Sequence, residues 1–299
     1  MPCYHPLKGF TPLSKDNGGR LVFNTRYALN PHNPITIPCN VCTGCRIDRS
    51  RDVAARAMHE AQMHRQNSFI TLTFDNAFLP EDYSVQKRTF QLFMKKLRKQ
   101  LPQKIRFLGV GEYGDEELRP HYHALIFGHD WDDKILWKKN PQGDPLFVSE
   151  KLTAIWGFGH CTTGEVNYTT AGYCSRYTMK KITGDRALSH YLRTHPLSKQ
   201  VVKCEPEFSL SSRRPGLGGT WFAKYHTDVF PSDFIVVNGK EHSVPRYYTK
   251  KLEEKALEKI KRKRKKSMLG QKANNTPARL RVREQVKLAA MSTLKRTLK

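Results

Sequence analysis

The spacing of apolar positions changes several times along the chain, and each change predicts an element. Over residues 46–64, Ile47, Val53, Ala54, Ala57, Met58 and Ala61 recur at helical steps between charged residues, which predicts an amphipathic helix. Ser68-Phe69-Ile70-Thr71-Leu72-Thr73-Phe74 alternates β-branched and aromatic residues and runs into Asp75-Asn76, the mark of a strand closed by a turn. Residues 85–101 carry Phe90, Phe93, Met94, Leu97 and Leu101 at steps of three and four, a helix that must stop before Pro102. Two strands are expected at 105–113 and 121–127, joined by a polar linker of hairpin length and therefore antiparallel neighbours. A helix over 147–156, a strand over 160–166 and a helix over 168–181 complete the series.

This order, strand, helix, strand, strand, helix, strand, helix, fits an α+β fold in which helices cover one face of an antiparallel central sheet, as in ferredoxin-like folds. Around it the patterns weaken. The first 45 residues are rich in Pro, Asn, Gly and Cys, and predict irregular structure. Beyond Thr183 little is periodic until residues 222–237, and Ser211-Ser212-Arg213-Arg214-Pro215-Gly216-Leu217-Gly218-Gly219 reads as a basic turn. From Tyr247 onward helices are expected, with breaks near Gly270 and Pro277. The expected organisation is a Cys-containing N-terminal segment and helix (1–66), a core (67–185), an accessory segment with the basic turn (186–249) and a basic helical tail (250–299).

Composition adds a partner to this outline. The 299 residues are 38% hydrophobic, enough for one core with appended segments. They hold 52 Lys and Arg against 27 Asp and Glu, a net charge of +25 that suits a polyanion, with nucleic acid the leading candidate. Residues 246–299 alone carry 19 Lys or Arg against 4 Glu. The run containing Lys261, Arg262, Lys263 and Arg264 reads either as a solvated helix face or, as we prefer, as a non-specific phosphate contact. Arg213 and Arg214 of the basic turn are further candidates for DNA contacts. No apolar run approaches the roughly 18 residues of a membrane span, and the N-terminus lacks the apolar stretch of a signal peptide, so an intracellular protein with no membrane partner is expected.

Three of the seven cysteines crowd into Cys39-Asn40-Val41-Cys42-Thr43-Gly44-Cys45, closer than a disulfide framework places them. Cys39, Cys42 and Cys45 can bind a structural Zn²⁺ as thiolates, with Cys3 or His5 as fourth ligand. An iron–sulfur cluster and uncoordinated reduced thiols are the alternatives.

The sharpest chemistry lies downstream. On a helix, Tyr177 falls about 40° round from Tyr173, and Lys180 about 20° the other way, so all three can reach one phosphate. A phenol is only about 0.1% ionised at neutral pH, and a tyrosine nucleophile needs a cation or metal to help it. His121 and His123, two apart on a strand, project from one face and make half of a metal site. A hairpin across 114–120 brings the Glu112 carboxylate beside them. Two nitrogens and one oxygen leave positions open for phosphate oxygen and suit Mg²⁺ or Mn²⁺, although zinc also accepts such a set.

The Phe69-Ile70-Thr71-Leu72-Thr73 strand, the His121-Tyr122-His123 triplet and the Tyr173, Tyr177, Lys180 helix occur in the order found in HUH endonucleases. More closely, Cys42-Thr43-Gly44-Cys45-Arg46-Ile47-Asp48-Arg49-Ser50-Arg51, Gly111-Glu112-Tyr113-Gly114, Arg119-Pro120-His121-Tyr122-His123 and Ser212-Arg213-Arg214-Pro215-Gly216 resemble the replication initiators of gokushovirus-type microviruses. The likeness runs to about Trp221. It implies an HUH nuclease core and a site-specific endonuclease and strand-transferase. Such an enzyme nicks one strand of a circular duplex, forms a 5′-phosphotyrosine, leaves a 3′-OH for a polymerase, and so initiates and terminates rolling-circle replication of a small phage genome in the host bacterial cytoplasm. By the same resemblance His121 and His123 bind the metal, Glu112 supplies the third ligand, and Tyr173 and Tyr177 are the two nucleophiles, which we read as acting in alternation. Lys180 would neutralise charge on the phosphate or help deprotonate a phenol.

The sequence contains no Gly-x-x-x-x-Gly-Lys-Ser/Thr phosphate loop, so a host helicase, a polymerase and a single-strand-binding protein are the expected partners beside single-stranded or origin DNA. Two other readings compete. One is an HUH transposase or relaxase, against which motif order speaks, because relaxases commonly place the tyrosine before the histidines. The other is a non-catalytic basic nucleic-acid-binding protein whose tyrosines pack or stack on bases.

Overall fold

The computed structural model describes residues 3–14, 18–114, 117–140, 142–176, 182, 184–237 and 239–293. Strands β1 (Leu7–Gly9) and β2 (Ile35–Ile37) pair antiparallel ahead of helix α1 (Thr43–Ala61). There follow β3 (Asn67–Thr73), α2 (Lys87–Gln100), β4 (Arg106–Tyr113), β5 (Pro120–Phe127), β6 (Ile135–Lys139), β7 (Pro145–Val148), α3 (Glu150–Trp156), β8 (Cys161–Gly164) and α4 (Tyr168–Ser175). Next come α5 (Arg186–His190), the β9 (Leu192–Thr194) and β10 (Val201–Lys203) hairpin, β11 (Phe208–Ser211) and α6 (Gly219–Val229). The β12 (Phe234–Val237) and β13 (Lys240–Ser243) hairpin, α7 (Arg246–Thr249), α8 (Glu254–Gly270) and α9 (Pro277–Ser292) close the described chain.

The chain divides into two compact units, one of Met1–Arg49 with Lys261–Arg296, the other of Ser50–Ile260 with Thr297–Lys299. The larger holds a seven-stranded, wholly antiparallel sheet in the order β11-β4-β5-β3-β8-β7-β6. The α+β class and the antiparallel central sheet are thus as the apolar pattern predicts.

The layering departs from the expectation of helices on one face, because helices cover both. Tyr122, Ala124 and Ile126 of β5 pack with Phe90, Phe93, Met94 and Leu97 of α2 and Leu152, Ile155 and Trp156 of α3. Leu125 and Phe127, in the other phase, pack with Ala54, Ala57 and Ala61 of α1 and Ala171 and Cys174 of α4. Ala124-Leu125-Ile126-Phe127 is apolar in both phases, and a strand of that kind is stable only when both faces leave water. Each large side chain so buried contributes about 1.5–3 kcal/mol of transfer free energy.

On β4, glycine lets two aromatic rings come down on the sheet. A Cβ at Gly111 would lie 2.5 Å from the Phe208 ring, and one at Gly109 would collide with the Phe90 ring, which is fully buried. Gly109→Ala is expected to destabilise the protein by about 1–3 kcal/mol through overpacking. The readout is the urea unfolding midpoint at unchanged slope, and an unshifted midpoint would count against this packing.

Other differences are local. The helix expected at 147–156 starts at Glu150, because Ser149 is extended (φ −140°) and its Oγ accepts the Leu152 N–H at 3.1 Å. Phe147 and Val148 instead belong to β7, where Phe147 pairs with Thr163 of β8. The helix expected at 168–181 is described only to Ser175, where the Arg176 N–H is shared between the carbonyls of Gly172 and Tyr173; residues 177–181 lie outside the described residues.

In the smaller unit the first residues are largely irregular, and Tyr4 packs with Cys42 and Cys45 in a small cluster. The expected tail breaks occur where α8 ends at Gly270 and α9 begins at Pro277, capped by Thr276. No described helix is long and apolar enough to cross a membrane.

Candidate active site and metal centres

The β4–β5 hairpin sets the first three side chains by register alone. Glu112 stands directly opposite His121, and His123 opposite Val110, while β3 on the other side of β5 places Thr73 opposite His121 and Thr71 opposite His123. Because side chains alternate along strands, Glu112, His121, His123 and Thr71 share one face. His121 Nε2 lies 3.3 Å and His123 Nε2 3.4 Å from the same atom, Glu112 Oε1. All three ligand atoms fall within 4.8 Å of one another.

The far nitrogens explain this aim. His121 Nδ1 is 3.0 Å from the Arg119 carbonyl, which only accepts, so Nδ1 carries a hydrogen and Nε2 is the nitrogen turned to the carboxylate. His123 Nδ1 is 2.9 Å from Thr71 Oγ1, and its ring stacks on Phe69 at 5.5 Å and 10°. Burial would raise the Glu112 carboxyl, but the His121 and His123 side chains outweigh burial and hold it well below the ordinary carboxylate range. A buried anion facing two imidazole nitrogens whose other nitrogens are committed is a donor set that fits a divalent cation.

Helix α4 delivers the tyrosine. Asn167 accepts the Thr170 N–H at 2.9 Å while Thr170 Oγ1 accepts the Asn167 N–H at 2.9 Å, a reciprocal capping box that fixes where the helix starts. One turn on, the Tyr173 hydroxyl donates to Glu112 Oε1 at 2.7 Å, and its ring stands edge-on to His123 at 4.8 Å. Ser175 Oγ, 2.8 Å from Ser50 Oγ of α1, ties the helix down. Tyr173, Glu112, His121 and His123 therefore meet at one point, while Tyr177 and Lys180 lie outside the described residues.

Sequence reasoning missed Thr71, the Arg119 carbonyl and Arg176, whose guanidinium carbon lies 5.5 Å from the Tyr173 ring centroid. For Thr71 the signal existed, since it alternates in phase with Phe69 and Thr73, but its partner is known only once β3 is paired with β5.

In the smaller unit the sulfurs of Cys3, Cys39, Cys42 and Cys45 all lie within 4.8 Å of one another, and Cys3 Sγ is 4.0 Å from Cys42 Sγ. A tetrahedral zinc with bonds of about 2.3 Å would separate its sulfurs by about 3.8 Å. Backbone N–H groups already point at sulfur, from Cys39 to Cys3 at 3.2 Å, Cys42 to Cys39 at 3.3 Å and Tyr4 to Cys42 at 3.4 Å. Burial raises the Cys39 thiol, but N–H groups of Val41 and Cys42 and the Cys3 side chain more than offset it and bring it down to about 7. Burial, Cys3 and Cys42 push Cys45 up. The four-sulfur set fits a metal, and all seven cysteines are free thiols. Of the two residues considered for fourth ligand, Cys3 is in the cluster, whereas His5 Nε2 is engaged by Glu284 at 2.7 Å.

Arg213 and Arg214 are exposed on the turn between β11 and α6, and Lys261, Arg262 and Lys263 are exposed on α8, with Arg264 half-buried.

Residues 67–182 match the family described as Replication-associated protein ORF2/G2P, a span from β3 through α4 that contains Glu112, His121, His123 and Tyr173. The chain is 31% identical to Replication-associated protein VP4 of Bdellovibrio phage phiMH2K over 258 residues, covering 83% of this chain and 76% of that protein. It is 28% identical to Replication-associated protein ORF2 of Spiroplasma virus 4 over 296 residues, 89% of this chain and 86% of that one. With Replication-associated protein ORF4 of Chlamydia phage 1 it shares 31% identity over 229 residues, 71% of this chain and 52% of the relative. No solved structure matches the chain. Identity on this scale, spread over most of both chains, means that the chain belongs to the family of phage replication-associated proteins, the microvirus type of rolling-circle initiator.

Proposed function

We propose that the protein is a metal-dependent, site-specific DNA nickase and strand-transferase that begins and ends rolling-circle replication of a small phage genome. The observation that supports it is the convergence on Glu112 Oε1, within 3.4 Å of both histidine nitrogens and 2.7 Å from the Tyr173 hydroxyl. A Mg²⁺ or Mn²⁺ ion held by Glu112, His121 and His123 would polarise the scissile phosphate. Thr71 and the Arg119 carbonyl keep the two imidazoles turned inward. Glu112, held ionised, accepts the phenolic hydrogen bond and so orients the Tyr173 oxygen.

The tyrosine oxygen attacks phosphorus and the bond from phosphorus to the 3′ oxygen breaks. The proton lost by the phenol is balanced by the one gained at the departing oxygen, giving a 5′-phosphotyrosine and a 3′-OH. The ester conserves the energy of the broken bond, so rejoining needs no nucleotide. In this reading Tyr177 is the second nucleophile, Lys180 assists at the phosphate, and Arg213, Arg214 and the Lys261–Arg264 run contact origin DNA. The four cysteines hold a structural Zn²⁺, and helicase, polymerase and single-strand-binding functions come from the host bacterium, in whose cytoplasm the protein acts.

The test is denaturing electrophoresis after incubation with labelled circular single-stranded phage DNA and Mn²⁺. A protein–DNA adduct is expected with wild type and with Tyr173→Phe or Tyr177→Phe alone, and none with the double variant. Salt-sensitive binding without an adduct on any origin fragment would instead make this a non-catalytic binding protein.

A further inference from the structure

At the opposite end of β4 from Glu112 lies a cavity of about 660 Å³ whose lining includes Arg98, Lys104, Arg106, Arg213, Arg214 and His64 and no carboxylate. Arg106 and Glu112 are six residues apart in one strand, so the cavity is about 20 Å from the nicking centre.

Its walls are fixed. Arg106 donates to the buried Glu60 at 2.6 Å and to the Pro215 carbonyl at 2.7 Å, which clamps the basic turn against the start of β4. Ser212 makes two further bonds to the Phe107 backbone, its N–H to the carbonyl at 3.0 Å and its Oγ accepting the N–H at 3.1 Å. The Arg98 guanidinium lies over the Phe107 ring at 5.3 Å. One acid, Glu60, is thus spent on Arg106, while Arg98, Lys104, Arg213 and Arg214 make no ion pair among the described residues.

Four uncompensated cations around a concavity concentrate positive potential there and would repel one another without an anion. The Phe107 face is covered by Arg98, and the His64 ring is engaged by Phe127 and Glu60, so the cavity presents cations to a strand rather than an aromatic face to a base. Its chemistry is that of a phosphate binder, not a base reader.

We infer that this cavity is a second DNA contact, gripping backbone phosphates about 20 Å from the nick, or about six steps of a B-form strand at 3.4 Å each. Its role rests on the nickase reading, because a strand anchored here would stay on the protein after cleavage. The binding itself does not depend on that reading.

The test uses the full chain with Arg98, Lys104, Arg213 and Arg214 all changed to Gln, four exposed side chains outside the catalytic cluster. Affinity for fluorescent oligothymidylates is measured against salt, with strands of about 6 and about 25 nucleotides, the longer able to span both sites. The variant should bind the long strand about 10- to 100-fold more weakly at low salt, with its log–log salt slope reduced by up to about 3, at about 0.7 for each phosphate no longer neutralised. Unchanged affinity and slope on the long strand would overturn the inference. A parallel adduct assay on the same samples reports on nicking separately. An adduct with unchanged long-strand binding sinks the cavity alone, and weakened binding by the variant without any adduct in wild type sinks the nickase alone.

Discussion

Replacing Glu112 with Gln, or His121 with Ala, should lower metal-dependent nicking by about 10³-fold, the scale of loss when one charge-stabilising group is taken from a phosphoryl- or acyl-transfer site. Glu112→Gln is the more informative change, because it keeps the size of the side chain while removing the one negative charge on which His121, His123 and Tyr173 converge. The amide oxygen can still accept the phenolic hydrogen bond, so a loss would report on the charge and the metal rather than on the position of Tyr173. His121→Ala removes one of the proposed ligands directly.

A graded control lies one layer further out. Thr71→Val deletes the 2.9 Å partner of His123 Nδ1 but leaves the ligand itself, so a loss of about 10- to 100-fold is expected, partly recovered by raising Mn²⁺. Single-turnover cleavage of a labelled origin strand at several metal concentrations measures all three. Circular dichroism and DNA affinity should stay at wild-type values, since none of these side chains sits in either large apolar cluster. Glu112→Gln with wild-type cleavage would remove the carboxylate from the mechanism.

How much of the fold and site is legible in the sequence follows from how each residue is held. The strands at 67–73, 106–113 and 120–127 are readable because they are rich in apolar, β-branched and aromatic residues bounded by turn residues, and the length of the hairpin linker is enough to place Glu112 beside His121. The second helical layer is harder to see, although Ala124-Leu125-Ile126-Phe127 carries the clue. A run that is apolar in both phases marks a strand more plainly than it marks what covers each face. Strand β6 escapes because it is exposed throughout, so no alternation marks it, and Phe147 and Val148 of β7 read as the start of the helix that follows. Arg176 stands in plain view inside the tyrosine run, but its nearness to the Tyr173 ring depends on where α4 ends. Register and side-chain direction are properties of pairing, and the order of residues states them only where a short turn leaves no choice.

Losing the zinc proposed for the cysteine cluster is the second large effect to expect, and it should fall on the unit made by Met1–Arg49 and Lys261–Arg296. Among its described residues the buried apolar side chains are Tyr4, Phe10, Ala28, Cys42, Cys45 and Leu280. So small a core cannot offset the chain entropy of its ordered residues, and proteins in that position rely on a cross-link or a metal. A zinc bound to four thiolates ties residue 3 to residues 39–45, and structural zinc in small modules contributes about 10–16 kcal/mol near neutral pH.

Purified protein should therefore contain one equivalent of zinc by elemental analysis. Cys42→Ser or Cys45→Ser should lose it and expose residues 1–49 to limited proteolysis, with Ser50–Ile260 remaining resistant on its own core. His5→Ala should keep the zinc, because its imidazole is committed to Glu284 and stands outside the sulfur cluster. Zinc-free wild-type protein whose residues 1–49 stay resistant to proteolysis would show that thiols alone hold this region. Zinc lost from the His5 variant as readily as from the Cys42 variant would move the fourth ligand from sulfur to nitrogen.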